Sequence, residues 1–240
     1  MSVFIVLCGG RGERLRSVVS DRPKVLAEVG GRPFLDHLLD HLSAFGPEGI
    51  VLSTGYRADM VEDYVGVRGA GPVPVRCVAE AEPLGTAGAV RHVAGQVDVS
   101  DPFFVMNGDT WFDGNPDLLA GFHATCGATA SLALVKVPDG SRYGQVEADP
   151  DDGAVRSFVE KAERSGSGWI NAGMYCLSPA VLDLIPQGRA CSIERDVFPR
   201  LIGDGLFARR FTDATFLDIG TPDDFDRAQR LFGDVPDGSE

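Results

Sequence analysis

Val3-Phe4-Ile5-Val6-Leu7-Cys8-Gly9-Gly10-Arg11-Gly12-Glu13-Arg14-Leu15-Arg16, followed by Arg22-Pro23-Lys24, decides how this chain reads. A short run of Val, Ile and Phe has the composition of a buried strand, and it passes directly into a glycine-rich turn that carries cations. Glycines let the backbone adopt positive φ and bring bare N–H groups against an anion, while guanidinium and ammonium groups supply charge. The stretch reads as a phosphate loop, and its implied ligand is a nucleotide. Two common glycine fingerprints are excluded. A Walker loop needs Gly-Lys-Ser/Thr, and a dinucleotide fold wants a helix opening on the third glycine. Taken alone, the residues also fit a strand-to-helix turn with surface charge, so the rest of the chain has to decide.

The 240 residues carry a formal charge of −13 and are 44% hydrophobic. That length allows one α/β domain or two small ones, with ample apolar content for a core. The acidic balance speaks against bulk nucleic acid as the partner. Arg11, Arg14, Arg16, Arg22 and Lys24 stand out against it as a local basic concentration able to steer a small polyanion. No apolar run approaches the ~20 residues that span a bilayer, and residues 1–8 lack the marks of a signal peptide. The expectation is a cytoplasmic protein with no membrane partner. Cys8, Cys77, Cys126, Cys176 and Cys191 are scattered and odd in number, so they read as buried thiols. The histidines show no zinc spacing, with His37 and His41 read as structural or surface residues. Neither a Gly-x-Ser-x-Gly elbow nor a Cys/His arrangement for covalent catalysis is present.

Apolar runs near residues 3–8, 50–54, 75–79 and 102–106 alternate with helical periodicity near 34–45, 57–65, 86–94 and 115–125. This rhythm predicts an α/β fold, a Rossmann-like, mostly parallel sheet flanked by helices, with ligands outside the carboxyl ends of the strands. The glycine loop and Asn107-Gly108-Asp109 both fall at that edge. Beyond residue 129, strand-like runs at 129–137, 144–148, 154–159 and 170–177 predict an α+β insertion. Helical signals return at 179–185, 192–202 and 222–232, and residues 233–240 form a polar tail expected to fray. No repeat or linker interrupts the chain, and one domain over residues 1–240 is expected.

Asp109 follows a buried strand and a glycine that permits a tight turn, a good position for a metal ligand; an Asx turn capping a following helix is the alternative, and a second carboxylate tilts the balance toward the metal. Asp218 lies between apolar neighbours, where an unpaired carboxylate is costly unless it meets a cation or donors. Together the two suffice for Mg²⁺ when a nucleotide supplies the remaining oxygens. Glu80-Ala81-Glu82-Pro83-Leu84-Gly85-Thr86-Ala87-Gly88 is a carboxylate-bearing loop opening a helix, shaped to cup a base. A glutamate at the base edge favours guanine, whose N1–H and N2–H donors lie side by side; solvated loop charges and a Thr86 helix cap are the alternative. Glu160-Lys161 and Asn171-Ala172-Gly173 could face one sugar, the lysine pairing with its phosphate, although Glu160-Lys161 is also a commonplace surface pair. Arg142-Tyr143-Gly144 adds a backbone contact or is a simple hairpin turn.

The ordered set Gly9-Gly10-x-Gly12-x-Arg14-Leu15, Pro23-Lys24, Glu82 to Gly88, Asn107-Gly108-Asp109, Glu160-Lys161, Asn171-Ala172-Gly173 and Asp218-Ile219-Gly220 spans nearly the whole chain. It resembles the sugar-1-phosphate nucleotidyltransferases, and within them most the D-glycero-α-D-manno-heptose 1-phosphate guanylyltransferases. The narrower resemblance rests on Leu15 to Val19, Gly31 to Leu35, Ser141 to Gly144 and Phe216 to Gly220. It implies a GT-A-like nucleotidyltransferase fold, residues 1–128 mainly binding nucleotide and 129–232 mainly binding sugar and supplying the second metal ligand. It further implies that Arg14, Lys24, Asp109, Lys161 and Asp218 are catalytic, with Asp109 and Asp218 holding Mg²⁺. Leu7, Gly9, Gly10, Arg11, Gly12, Arg14, Lys24, Glu80, Gly85, Thr86 and Asp109 would bind the nucleotide, GTP. Gly108, Gly144, Glu160, Lys161, Asn171 and Gly173 would bind the sugar 1-phosphate.

Two positions depart from the pattern, Glu13 where many relatives have threonine and Val25 where proline is common. The oligomeric state is left open, as is the choice between a heptose and mannose. A glycosyltransferase would normally show Asp-x-Asp where this chain has Asp109-Thr110-Trp111. A non-catalytic nucleotide-sugar sensor predicts eroded charges, yet Arg14, Lys24, Asp109, Lys161 and Asp218 are all in place.

Overall fold

A computed structural model describes residues 2–140, 142–159 and 166–233. The first half runs β1 (Val3–Leu7), β2 (Glu28–Val29), β3 (Arg32–Pro33), α1 (Phe34–Ser43), β4 (Gly49–Thr54), α2 (Ala58–Arg68), β5 (Val75–Ala79), α3 (Gly85–Ala94), β6 (Phe103–Asn107), β7 (Thr110–Phe112) and α4 (Pro116–Cys126). The second runs β8 (Ala130–Val137), β9 (Gln145–Ala148), β10 (Val155–Val159), β11 (Gly168–Leu177), β12 (Leu206–Phe211), β13 (Phe216–Asp218) and α5 (Pro222–Phe232). Among the described residues nine strands share one mixed sheet.

The expected α/β architecture is present, and its four oldest-looking strands explain where a ligand would go. β5, β4, β1 and β6 lie side by side in that order, all parallel. The chain builds outward from β1 to one side, then crosses back to place β6 on the other. That reversal is a topological switch point, where the loops leaving β1 and β6 diverge and open a crevice at the carboxyl edge. Leu7 pairs with Asn107, so the glycine loop and the Asn107-Gly108-Asp109 turn leave the sheet at the same level. Alternation along β1 explains the two cores. Phe4 and Val6 pack with Leu38, Leu52, Phe104 and Met174 on the α1 face, while Ile5 packs with Val51, Val90, Val105 and Tyr175 on the α3 face.

The turn after β6 is held against β1 by backbone alone. Gly108 N–H donates to Leu7 O at 3.0 Å, and a Cβ at residue 108 would stand 2.7 Å from that oxygen and 2.9 Å from Cys8 Sγ. Gly108→Ala is therefore expected to destabilise the fold by about 1–3 kcal/mol, read as a lower urea midpoint at unchanged m-value. An unchanged midpoint would mean that the two strand ends can separate at no cost.

β11 joins the halves. Its second half pairs antiparallel with β6, and it runs antiparallel to β8, which β12 extends in parallel. The β11 register shifts between Asn171 and Tyr175, where Gly173 takes φ 73°. This bulge turns Asn171 and Gly173 toward the end of β6. A separate antiparallel pair, β13 on β7, sets Asp218 opposite Thr110.

Three sequence expectations need correction. Residues 179–184 form a 3₁₀ turn, and 193–201 form one π turn followed by a 3₁₀ turn, where α-helical signals were read. Pro199 has no N–H for the Arg195 carbonyl and its ring would crowd it, so a regular α ladder cannot run through. Residues 206–211, passed over as a strand, form β12.

Candidate active site

A cavity of about 530 Å³ opens at the switch point. Leu7, Gly9, Gly10 and Arg11 line one side, Glu80, Gly85 and Thr86 another, and Lys24 and Asp109 the end nearest β13. Gly12 sits behind this lining in the left-handed region at φ 59°, where it starts a short 3₁₀ turn, Glu13–Leu15. Buried Leu15 anchors that turn. Tyr56, not singled out in the sequence, lines the same cavity, with the Arg16 guanidinium 5.6 Å above its ring.

The two aspartates meet because β13 pairs with β7. Ile219 N–H donates to the Asp109 carbonyl at 3.0 Å, which fixes the backbone that carries both carboxylates. Lys24 Nζ lies 2.7 Å from Asp109 Oδ2 and 4.0 Å from Asp218 Oδ1. Residues 110–112 continue as a strand, so Asp109 does not cap a helix. Arg14 lies against the same turn, since a Cβ at Gly220 would be 3.2 Å from its Nη2 and 2.8 Å from Asp218 Oδ1.

Burial, and then the charge of Asp109, push the Asp218 carboxyl above its ordinary range, with Lys24 and Arg14 acting the other way. Its Oδ1 is buried and has no hydrogen-bond partner among the described residues. Two adjacent carboxylates with an orphaned buried oxygen fit a divalent cation, and Mg²⁺ takes few carboxylates when phosphate oxygens and water complete its shell. No group of three or more His, Cys, Asp or Glu among the described residues forms a self-sufficient metal site.

Glu80 is held by its own loop and by β4. Ser53 Oγ donates to its Oε1 at 3.2 Å and Leu84 N–H to its Oε2 at 2.8 Å. Gly9 passes close by, a Cβ there falling 3.0 Å from Oε1. Glu82 is solvent-exposed. The start of α3 docks on a segment the sequence did not flag. Ala87 and Gly88 N–H both donate to Cys191 O, at 2.9 and 3.3 Å, and Cys191 N–H donates to Leu84 O at 2.8 Å. Gly85, at φ 68°, allows this approach, because a Cβ would meet Cys191 O at 2.7 Å. Thr86 is no cap: its hydroxyl accepts from Ile193 N–H at 2.7 Å and donates to Glu194 at 2.9 Å. Ser192, whose hydroxyl accepts from Arg195 N–H, signals a turn, but nothing local announces where that turn docks.

On the far side, Gly173 abuts the cavity-lining Asn107, a Cβ there lying 2.8 Å from Asn107 Nδ2. Asn171 Nδ2 donates to Tyr175 OH at 2.7 Å, and Gly173 N–H donates to Asn171 Oδ1 at 2.9 Å. Gly144 follows Tyr143, whose ring stands edge-on to Phe216 of β13 at 5.5 Å. Arg142 pairs with buried Asp224 at the start of α5. Burial would raise the Asp224 carboxyl, but hydrogen bonds from Arg142 and Thr221, with the Arg142 and Arg227 charges, hold it below the usual range. Glu160 and Lys161 lie outside the described residues.

A glycine loop, a cavity with room for a whole small-molecule ligand and an acid pair at the switch point of a parallel sheet make up the layout of a nucleotide-binding α/β protein. The nucleotidyl transferase family profile matches residues 3–234, and the chain belongs to that family. It is 40% identical over 225 residues to a mannose-1-phosphate guanylyltransferase of Mycobacterium tuberculosis, covering 93% of this chain and 62% of that protein. It is 36% identical over 226 residues to a D-glycero-alpha-D-manno-heptose 1-phosphate guanylyltransferase of Aneurinibacillus thermoaerophilus, covering 94% of this chain and 96% of that one. The crystal structure of HddC from Yersinia pseudotuberculosis complexed with GMP-PN superimposes with a TM-score of 0.85 at 34% identity, over 97% of this chain and 100% of that one.

Proposed function

We propose that this protein transfers a guanylyl group from GTP to the phosphate of D-glycero-α-D-manno-heptose 1-phosphate, releasing pyrophosphate. The observation that carries the reading is the acid pair Asp109 and Asp218, bridged by Lys24 at the end of a cavity floored by the glycine loop. Mannose 1-phosphate is the second reading for the acceptor, favoured by the 40% identity to the mycobacterial protein.

The acceptor is a phosphate oxygen that is already anionic, so no protein nucleophile is required. An in-line attack on the α-phosphorus then needs alignment of two mutually repelling anions and neutralisation of their charge. The backbone of Gly9, Gly10 and Gly12 approaches the triphosphate, and Arg14 and Lys24 supply positive charge to it. Glu80, fixed by Ser53 and Leu84, faces the base edge with lone pairs to spare. Asn171, Gly173, Gly108 and Gly144 bound the sugar, with Glu160 and Lys161 assigned there on the sequence pattern. Asp109 and Asp218 would hold Mg²⁺, which when bound offsets the charge of the triphosphate oxygens.

Pyrophosphate release with Mg²⁺, across GTP, ATP, CTP, UTP and dTTP against heptose, mannose and glucose 1-phosphates, tests the reading. Release with GTP and the heptose 1-phosphate alone supports it, and release with mannose 1-phosphate alone moves the acceptor. No release from folded protein with any pair would overturn it in favour of a sensor.

A further inference from the structure

A partly buried polar chain, centred on Tyr175 and Glu194 outside the recognised motifs, connects the loop at Thr86 to the bulge at Asn171. Glu194, on the π turn, accepts at Oε2 from Thr86 Oγ and Ser192 Oγ, both at 2.9 Å, and at Oε1 from Tyr175 OH at 3.1 Å. Tyr175 is fully buried in the sheet, and its oxygen also receives Asn171 Nδ2. We infer that Glu194 is a positioning residue for the sugar side, setting the proton order of the chain Glu194, Tyr175, Asn171 and thereby the direction in which the Asn171 amide presents its donor. This rests on the proposed transfer reaction.

The argument is one of donors and acceptors. A carboxylate only accepts, and a phenol has a single proton. With that proton committed to Glu194, the Tyr175 oxygen can only accept, so the Asn171 amide must turn its NH₂ toward it. Asn171 Oδ1 then faces Gly173 N–H, which needs an acceptor, and every member of the chain is satisfied. Burial, and then the Glu194 charge, push the Tyr175 phenol well above its ordinary range, so the proton stays in place at neutral pH. Among the described residues, one amide hydrogen and one lone pair of Asn171 remain unused, in a fixed order, beside Gly173, which itself abuts Asn107. A donor and an acceptor in fixed order distinguish the arrangement of neighbouring sugar hydroxyls.

A glutamine at 194 reverses the logic. Two hydroxyls, Thr86 and Ser192, claim its single amide oxygen, so its NH₂ faces Tyr175. The phenol must then accept from residue 194 and direct its proton at the Asn171 NH₂, which leaves one buried bond unmade wherever the conflict settles.

The test uses steady-state pyrophosphate release by the full chain with GTP and both heptose and mannose 1-phosphates, for Glu194→Gln, Tyr175→Phe and the double variant. The expected result is a KM for the sugar 1-phosphate about tenfold higher in each single variant, a KM for GTP within about twofold of the parent, and a double variant no worse than Tyr175→Phe alone. Additive effects, a GTP KM rising in parallel, or an unchanged sugar KM in either folded single variant would overturn the inference. Tyr175→Phe removes one oxygen without opening a cavity, and it decides the matter alone should Glu194→Gln fail to fold. An active parent beside a silent Tyr175→Phe removes only this inference, whereas a parent inactive with every pair overturns both readings.

Discussion

Asp109→Asn is expected to lower kcat/KM for pyrophosphate release on the order of 10³-fold while leaving the thermal midpoint within about 2 °C of the parent. The two halves of this result have separate causes. The side chain carries half of the acid pair, and in the proposed reaction an amide would not replace a carboxylate opposite a triphosphate and its cation. The fold depends on the Asp109 backbone, whose carbonyl accepts from Ile219 N–H and is untouched by the change. Among the described residues its one ion-pair partner is Lys24, at 2.7 Å, and Asp109 is 40% exposed in that pair, so its loss is screened by water. Kinetics and a thermal melt of the same preparation check both parts. Activity within about threefold of the parent would remove Asp109 from the reacting site.

Asp218→Asn is expected to lose activity comparably but to gain stability, by on the order of 1 kcal/mol at pH 7 in chelator. Here the carboxylate is largely buried, its Oδ1 has no hydrogen-bond partner among the described residues and lies 4.0 Å from Lys24 Nζ, and a second carboxylate stands beside it. The folded-state value is raised above the ordinary 3.8, so between the two values the folded chain binds more protons than the unfolded one. Stability therefore falls as pH rises through that window. The advantage of asparagine is full above the raised value and disappears below about 3.8. Urea midpoints of both proteins at several pH values measure this. A variant less stable than the parent at pH 7 would show that Lys24 and Arg14 attract Asp218 more strongly than burial opposes it.

The parallel half of the fold was legible because β1, β4 and β6 are buried almost throughout and read as apolar runs, while β5, the edge strand, keeps Val75, Cys77 and Val78 around an exposed Arg76. β12 was not, because Arg209 and Arg210 interrupt its pattern. Their guanidinium groups lie over Phe211 and Trp169, so two residues that count as polar in sequence behave as half-apolar in the sheet. The turns at 179–184 and 193–201 both carry helical spacing, and in the second Pro199 prevents a regular ladder. Within the site, glycines and charges next to strand ends were visible as local motifs. The bond from Lys24 to Asp109 joins distant segments, as do the docking of Cys191 on the start of α3 and the role of Glu194, and no local pattern encodes them.

The β13 to β7 pairing has a consequence for synthesis. The chain leaves the ribosome at about 5–20 residues per second, and the amino-terminal sheet has its local partners early. Asp218 is made long after Asp109, and only then can its strand close on Thr110. Lys24 and Asp109 both precede it, so the acid pair is completed by a contact between segments far apart in sequence. On the proposed reading, a chain interrupted before β13 would carry the glycine loop and Asp109 without the second carboxylate, and competence for the reaction would require a chain made past β13.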